Sequence, residues 1–127
     1  MANLSDDTLH KILQQIQQQA VVSQRSLNQV NGQIAAKSRE KRILELTTRQ
    51  LDAIPAGDDV KMYKGVGKAF LMEPRKDIRA QQTEEDKTLT EDLANLSKKA
   101  KFLQKQVDDA QGQLKDIFHS QNRERDS

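Results

Sequence analysis

The sequence predicts a mainly α protein: a long antiparallel two-helix coiled coil whose helices are joined by a single β-hairpin. Three observations predict it. Apolar residues recur at heptad spacing along two breaker-poor stretches of near-equal length, both prolines and three of the five glycines are gathered between those stretches, and strand-forming residues surround the glycines. Composition demands a fold of this kind. Of 127 residues only 35% are hydrophobic and 3% aromatic, against 31% charged, which is too little apolar side chain for an ordinary globular core but enough for a stripe along two helices.

The first helix is expected over residues 5–54. Ser5 is a suitable N-cap, Asp6 and Asp7 suit the positive end of a helix, and Pro55 and Gly57 stop it. Leu9, Ile16, Ser23 and Val30 form one heptad series and Leu13, Ala20, Leu27 and Ile34 the other, continuing less regularly through Leu44 and Leu51. The second helix is expected over residues 74–121, with Pro74 in its first turn and Lys115, His119 and Arg123 near its negative end. Its seam is unbroken from Leu89 through Leu96, Leu103, Ala110 and Ile117, with Leu93, Ala100, Val107 and Leu114 between them. Residues 122–127 read as a frayed, solvated tail.

Facing residues of an antiparallel pair have position numbers with a constant total, and 130 fits. It pairs Leu13 with Ile117, Ile16 with Leu114, Ala20 with Ala110, Leu27 with Leu103 and Val30 with Ala100. The same register sets the basic run Lys37, Arg39, Lys41 and Arg42 alongside Glu84, Glu85, Asp86, Glu91 and Asp92. Arg79, Gln82 and Asp86 interrupt the apolar repeat, so the seam is expected to loosen there.

Between the helices, Val60–Tyr63 and Lys68–Met72 flank Lys64–Gly67, two short strand-like runs about a glycine turn. An isolated two-stranded hairpin is marginal in water, and its edges remain open to pairing. The chain offers no third strand, so the pattern implies partner strands from other subunits.

Other classes fare less well. The 21 Lys and Arg and 19 Asp and Glu leave a net charge of +2, giving no general case for nucleic acid or an anionic membrane. There is no cysteine, hence no disulfide framework or thiolate site, which fits a reducing compartment. No signal-peptide-like or membrane-spanning run is evident, so a soluble, cytoplasmic protein of one domain over residues 1–127 is expected. The sequence holds no phosphate loop or nucleophile, base and acid set, so neither an enzyme nor a cofactor is expected. A structural coiled-coil scaffold or tether is the competing reading.

Two long helices joined through Met62-Tyr63-Lys64-Gly65-Val66-Gly67-Lys68-Ala69-Phe70-Leu71 resemble the prefoldin family over nearly the whole chain. The specific part is the pattern Tyr63, Val66, Gly67 and Phe70 between near-equal helices. With room for only one hairpin, the resemblance implies a β-type subunit of a hexamer of two α-type and four β-type subunits, whose hairpins join into β-barrels. Assembly is then expected to involve Val60, Met62, Tyr63, Val66, Gly67, Phe70 and Met72. The resemblance further implies an ATP-independent holdase that takes non-native chains, notably actin and tubulin, at coiled-coil tips and passes them to the cytosolic ring chaperonin.

The tip joins the start of the first helix to the end of the second. Client-contact candidates are Leu4, Leu9, Ile12, Leu13, Ile117 and Phe118; Leu9, Leu13 and Ile117 also belong to the seam, whereas Ile12 and Phe118 flank it at one level as an exposed apolar pair. His10 and His119 meet there too, but two histidines without a third ligand make a poor zinc site. Val21, Val22 and Phe102 lie off the seam midway along.

Overall fold

The computed structural model describes residues 5–55, 61–66 and 69–126, with side chains as far as Gln121. In order they form α1 (Asp6–Asp52), β1 (Met62–Val66), β2 (Ala69–Glu73) and α2 (Arg75–Asp126). The described chain divides into two compact units: residues up to 33 with those from 96 onward, and residues 34–95.

In the first unit α1 begins as its composition dictates. Ser5 Oγ accepts the Thr8 backbone N–H at 3.3 Å, the Ser5 carbonyl accepts Leu9 N–H at 2.9 Å, and Asp6 and Asp7 occupy the first turn. The heptad seam is buried at Ser23, Leu27 and Val30 of α1 and Leu103, Val107 and Ala110 of α2. Toward the start of α1 and the end of α2 the seam residues Leu9, Leu13, Ile16, Leu114 and Ile117 are only half-buried. α2 extends past Gln121 to Asp126. No glycine or proline follows Gly112, so nothing in the backbone breaks it.

The second unit carries the hairpin and a more polar stretch of seam. Cross-helix partners Lys37–Asp92, Lys41–Thr90, Thr48–Gln82 and Asp52–Arg79 have position numbers totalling 129, 131, 130 and 131, so the expected register holds here. Leu89 and Met62 are its buried apolar residues among those described. Where Arg79, Gln82 and Asp86 replace apolar residues the seam opens into a cavity of about 560 Å³, bordered also by Leu44, Thr48 and Asp52. The charge match is only partly realised: Lys37 pairs with Asp92 at 3.6 Å, whereas Lys41 donates to the Thr90 hydroxyl at 3.0 Å.

α1 ends two residues earlier than expected, through a tighter turn in which Ile54 N–H donates to the Leu51 carbonyl at 3.2 Å. Its last carbonyls, which an α-helix leaves without internal partners, are taken by the first residue of α2. Arg75 Nη2 donates to the Leu51 carbonyl at 2.7 Å and to Ile54 at 3.0 Å, and Nη1 to Pro55 at 3.4 Å. Its Nε is buried without a partner, a cost that these bonds offset. The Pro74 carbonyl in turn starts α2 by accepting Asp77 and Ile78 N–H.

Candidate functional site

Strand pairing in the hairpin is more extensive than its glycines suggest. β1 and β2 are antiparallel, with partners Met62↔Glu73, Tyr63↔Met72, Lys64↔Leu71, Gly65↔Phe70 and Val66↔Ala69. Lys64, Gly65 and Val66, expected to form the turn, therefore lie within β1. The physical reason is local: the Phe70 ring covers the missing side chain of Gly65, its Cε1 lying 3.7 Å from where a Cβ would stand. Val60 and Gly67, both named as assembly residues, lie outside the described residues, as does the client-contact candidate Leu4.

Alternation then separates the hairpin into two faces. Met62, Lys64, Val66, Ala69, Leu71 and Glu73 share one. Met62 is 7% exposed, and a single side chain on α2 ties both strands down: Gln81 accepts from Lys64 Nζ at 2.8 Å and donates to Glu73 Oε2 at 3.1 Å. Tyr63, Gly65, Phe70 and Met72 share the other face, which nothing among the described residues covers. Phe70 is 75% exposed there, and Tyr63 and Met72 are also exposed. Met62 is already buried against its own helices, so it seats the hairpin. Val66 and Phe70 point to opposite faces and cannot both line one barrel interior.

Between β1 and the helices runs an apolar groove of about 700 Å³, walled by Ile43, Leu51, Ile54, Met62 and Ile78. The free edge of β1 flanks it. Gln81 ties the hairpin to α2, Ile78 lines the groove beside Met62, and Arg75 joins α2 to the end of α1; none of the three stands out in the sequence. An arginine and a glutamine in a charged helix carry no periodic signal; Ile78, apolar but one step off the heptad seam, was the available clue.

In the first unit the client-contact candidates behave less uniformly. Phe118 is 51% exposed, while Leu9, Ile12, Leu13 and Ile117 are half-buried. Ile12 and Phe118 do not form a pair. Ile12 precedes a seam position, as do Gln19, Gln106 and Gln113, which border one side of the seam; Phe118 follows one, as do Gln24 and Gln111, which border the other. They flank the seam on opposite sides. Val21, Val22 and Phe102 are exposed off the seam, as expected. His10 and His119 are exposed, and among the described residues no three metal-ligating side chains cluster. No described helix is long and apolar enough to cross a membrane.

A β-hairpin set between two heptad helices, seated on them at Met62 and through Gln81, with its outer strand edges unpaired among the described residues, defines a class of protein: a two-helix coiled coil carrying one open hairpin. The comparison with known proteins gives the class its family. The family model described as "Prefoldin subunit" matches residues 14–121, and the chain belongs to the prefoldin subunit family. It is 32% identical over 112 residues to a Schizosaccharomyces pombe protein described as "Probable prefoldin subunit 1", covering 88% of this chain and 98% of that one. It is 27% identical over 120 residues to prefoldin subunit 1 of Danio rerio, covering 94% and 97%. Among solved structures, the prefoldin beta subunit from Thermococcus strain KS-1 superposes with a TM-score of 0.75 at 21% identity, covering 92% of this chain and 96% of that one, which establishes the shared fold.

Proposed function

We propose that this chain is a β-type subunit of a hexameric, ATP-independent cytosolic co-chaperone, assembled with two α-type and other β-type prefoldin subunits. The observation that carries this reading is the uncovered face of Tyr63, Phe70 and Met72 on a hairpin whose outer strand edges have no partner within the described chain. Such a face gains stability only by burial against further strands, at about 25 cal/mol per Å² of apolar surface. Membership of the prefoldin family supports sister subunits as the source of those strands.

In the assembled complex, non-native chains such as actin and tubulin are held by the half-buried apolar residues Leu9, Ile12, Leu13 and Ile117 and the exposed Phe118, then passed to the cytosolic ring chaperonin. Non-directional apolar contact scales with area and accepts many sequences, which suits capture of unfolded chains. It requires no nucleotide, cofactor, nucleic acid or membrane.

The test is co-expression with α-type and β-type partners, followed by size exclusion with light scattering. Wild-type chain should enter a hexamer, and Phe70→Asp should leave it as free, still helical chain. A Phe70→Asp chain that enters a full-size hexamer refutes assembly through this face. A wild-type hexamer that never delays aggregation of denatured actin returns the protein to the scaffold reading.

A further inference from the structure

Charge balances over the whole chain, 21 Lys and Arg against 19 Asp and Glu, but not along the first unit. α2 has no acid from Leu93 to Val107, yet carries Lys98, Lys99, Lys101 and Lys105 there. α1, whose Ser23, Leu27 and Val30 are buried in the seam of the same unit, adds Arg25 and cannot answer them, since it has no acid from Thr8 to Arg39. All five cations are exposed, and none makes an ion pair among the described residues. The acids at the ends of the stretch do not neutralise it. Glu91 lies two turns before Lys98, Asp92 pairs with Lys37 at 3.6 Å, and Asp108 accepts from the Gln104 amide at 3.0 Å. Asp109 sits beside Lys105 at a shallow depression that Gln19 and Phe102 also border, so Lys105 has an acid at hand; Lys98, Lys99 and Lys101 have none within a helical turn. Their spacing works against the helix. Lys98 and Lys101, then Lys101 and Lys105, are surface neighbours three and four residues apart, where like charges repel. Among them Phe102, three residues from Lys99 and Lys105 and four from Lys98, is 61% exposed. By heptad position Lys98, Lys101, Phe102 and Lys105 lie on the outward side of α2. A merely solvated face mixes its signs, so an acid-free lysine row around a bared aromatic ring is a departure from one.

We propose that the outward face of α2 from Lys98 to Lys105 is a docking surface for an acidic, extended segment of another protein. Charge complementarity selects the partner, and the kind of cation selects its state. Lysine ammoniums are mobile, hydrated point charges without a guanidinium fork, so they suit a run of aspartates or glutamates that adopts no fixed geometry. The row Lys98, Lys101 and Lys105 spans about 10 Å of helix, a length that about three residues of extended chain cover. Phe102 gives an apolar side chain within that run a ring to pack on. This surface is distinct from those already described: Phe102 stands about 24 Å along α2 from Phe118, and the hairpin belongs to the other unit. A single-stranded nucleic acid fits less well, because one ring cannot stack successive bases. An anionic membrane fits less well too, because one large apolar side chain does not anchor a helix in lipid.

The test uses the full-length chain in the assembly in which it purifies. The probe is a fluorescein-labelled glutamate peptide about eight residues long with one central tryptophan, read by fluorescence anisotropy at low and high salt. Saturable, salt-sensitive binding is expected, with roughly tenfold weaker binding to the Lys98→Gln, Lys101→Gln double variant. Phe102→Ser should weaken binding of this peptide roughly threefold and leave an all-glutamate peptide unaffected. Glutamine is a good helix former, so the double variant keeps the fold. The control is Lys76→Gln, Lys87→Gln, which removes equal charge from exposed positions of the other unit and should bind as wild type does. Undiminished binding to the Lys98→Gln, Lys101→Gln variant, or an equal loss in the control, overturns the proposal. So does tighter binding of a single-stranded RNA or of phosphatidylserine vesicles than of the peptide. If the Lys98→Gln, Lys101→Gln chain no longer joins its sister subunits, the face is an internal interface of the assembly and the proposal fails, while the assembly reading stands.

Discussion

Phe70 stands directly across the hairpin from Gly65, and its ring lies over the backbone where the glycine has no side chain, 3.7 Å from the Cβ position. One residue thus holds two duties: it covers the weakest point of β1 and supplies the most exposed aromatic surface of the open face.

Because that 3.7 Å separation is ordinary contact, Gly65→Ala should be accommodated without displacing Phe70. Removing glycine's freedom in the unfolded chain should stabilise the hairpin by about 0.4–1 kcal/mol. Amide exchange at Tyr63–Val66 should slow accordingly; faster exchange would show that the ring needs the bare backbone.

Among the described residues, Arg75 is the single link from α2 to the carbonyls that end α1. Arg75→Met keeps much of its apolar stem but removes three donor contacts, and a loss of about 2 kcal/mol is expected from charged hydrogen bonds of this burial. Arg75→Lys should recover little of it, since the lysine ammonium ends one bond short of Nη2, the atom that serves both the Leu51 and Ile54 carbonyls, and lacks the second nitrogen that reaches Pro55. Urea denaturation of the three proteins decides this, and full rescue by lysine would contradict it.

Thr48 and Gln82 face each other on the seam in a polar layer. The Thr48 hydroxyl donates to its own helix at the Leu44 carbonyl, 2.9 Å away, and lies 3.4 Å from Gln82 Oε1, so the cross-helix bond is the weaker one. The double change Thr48→Val, Gln82→Leu should raise stability by about 1–2 kcal/mol through apolar burial. The gain should come with looser specification of register, because polar seam layers fix helix alignment. Cross-linking between cysteines introduced at Lys37 and Asp92 reports register: less efficient capture in the double variant is the expected outcome.

At the other end of the seam, Phe118→Ser should cost only about 1 kcal/mol in denaturation, because the ring is 51% exposed. Ile12→Ser should cost about 1 kcal/mol, since this side chain is half-buried. If this region holds clients, Phe118→Ser should nevertheless weaken suppression of aggregation by the assembled complex. Competition between wild-type and variant complexes at limiting chaperone is the appropriate measurement, and unchanged capture would remove Phe118 from the contact surface.

Much of the fold was legible because heptads and breakers are local signals. Leu27, Val30, Leu103 and Val107 are buried where the repeat put them, and the cross-helix pairs of the second unit keep the alignment that the repeat implied. What escaped depended on three-dimensional offsets. Gly65 looked like a turn because glycine usually makes one, and only cross-strand cover by Phe70 lets it stay in a strand. Val66 and Phe70 looked equivalent as apolar strand residues, but the strand period, fixed by the pairing of Val66 with Ala69, sends them to different faces. Ile12 and Phe118 shared a level but not a side of the seam. The family was readable from a ten-residue tract; Gln81, which holds that tract, and Arg75, which ties α2 to the end of α1, were not, because their roles lie in bonds made to distant strand and backbone atoms.

Gln81 gives the hairpin a mechanical connection. Its one amide grips Lys64 of β1 through the carbonyl and Glu73 of β2 through the amino group, while its backbone is part of a helix that is continuous from Arg75 to Asp126. A displacement of β1 is therefore coupled to α2 through Gln81, in addition to the chain that joins Glu73 to Arg75 through Pro74. Whatever grips the hairpin also pulls on the helix.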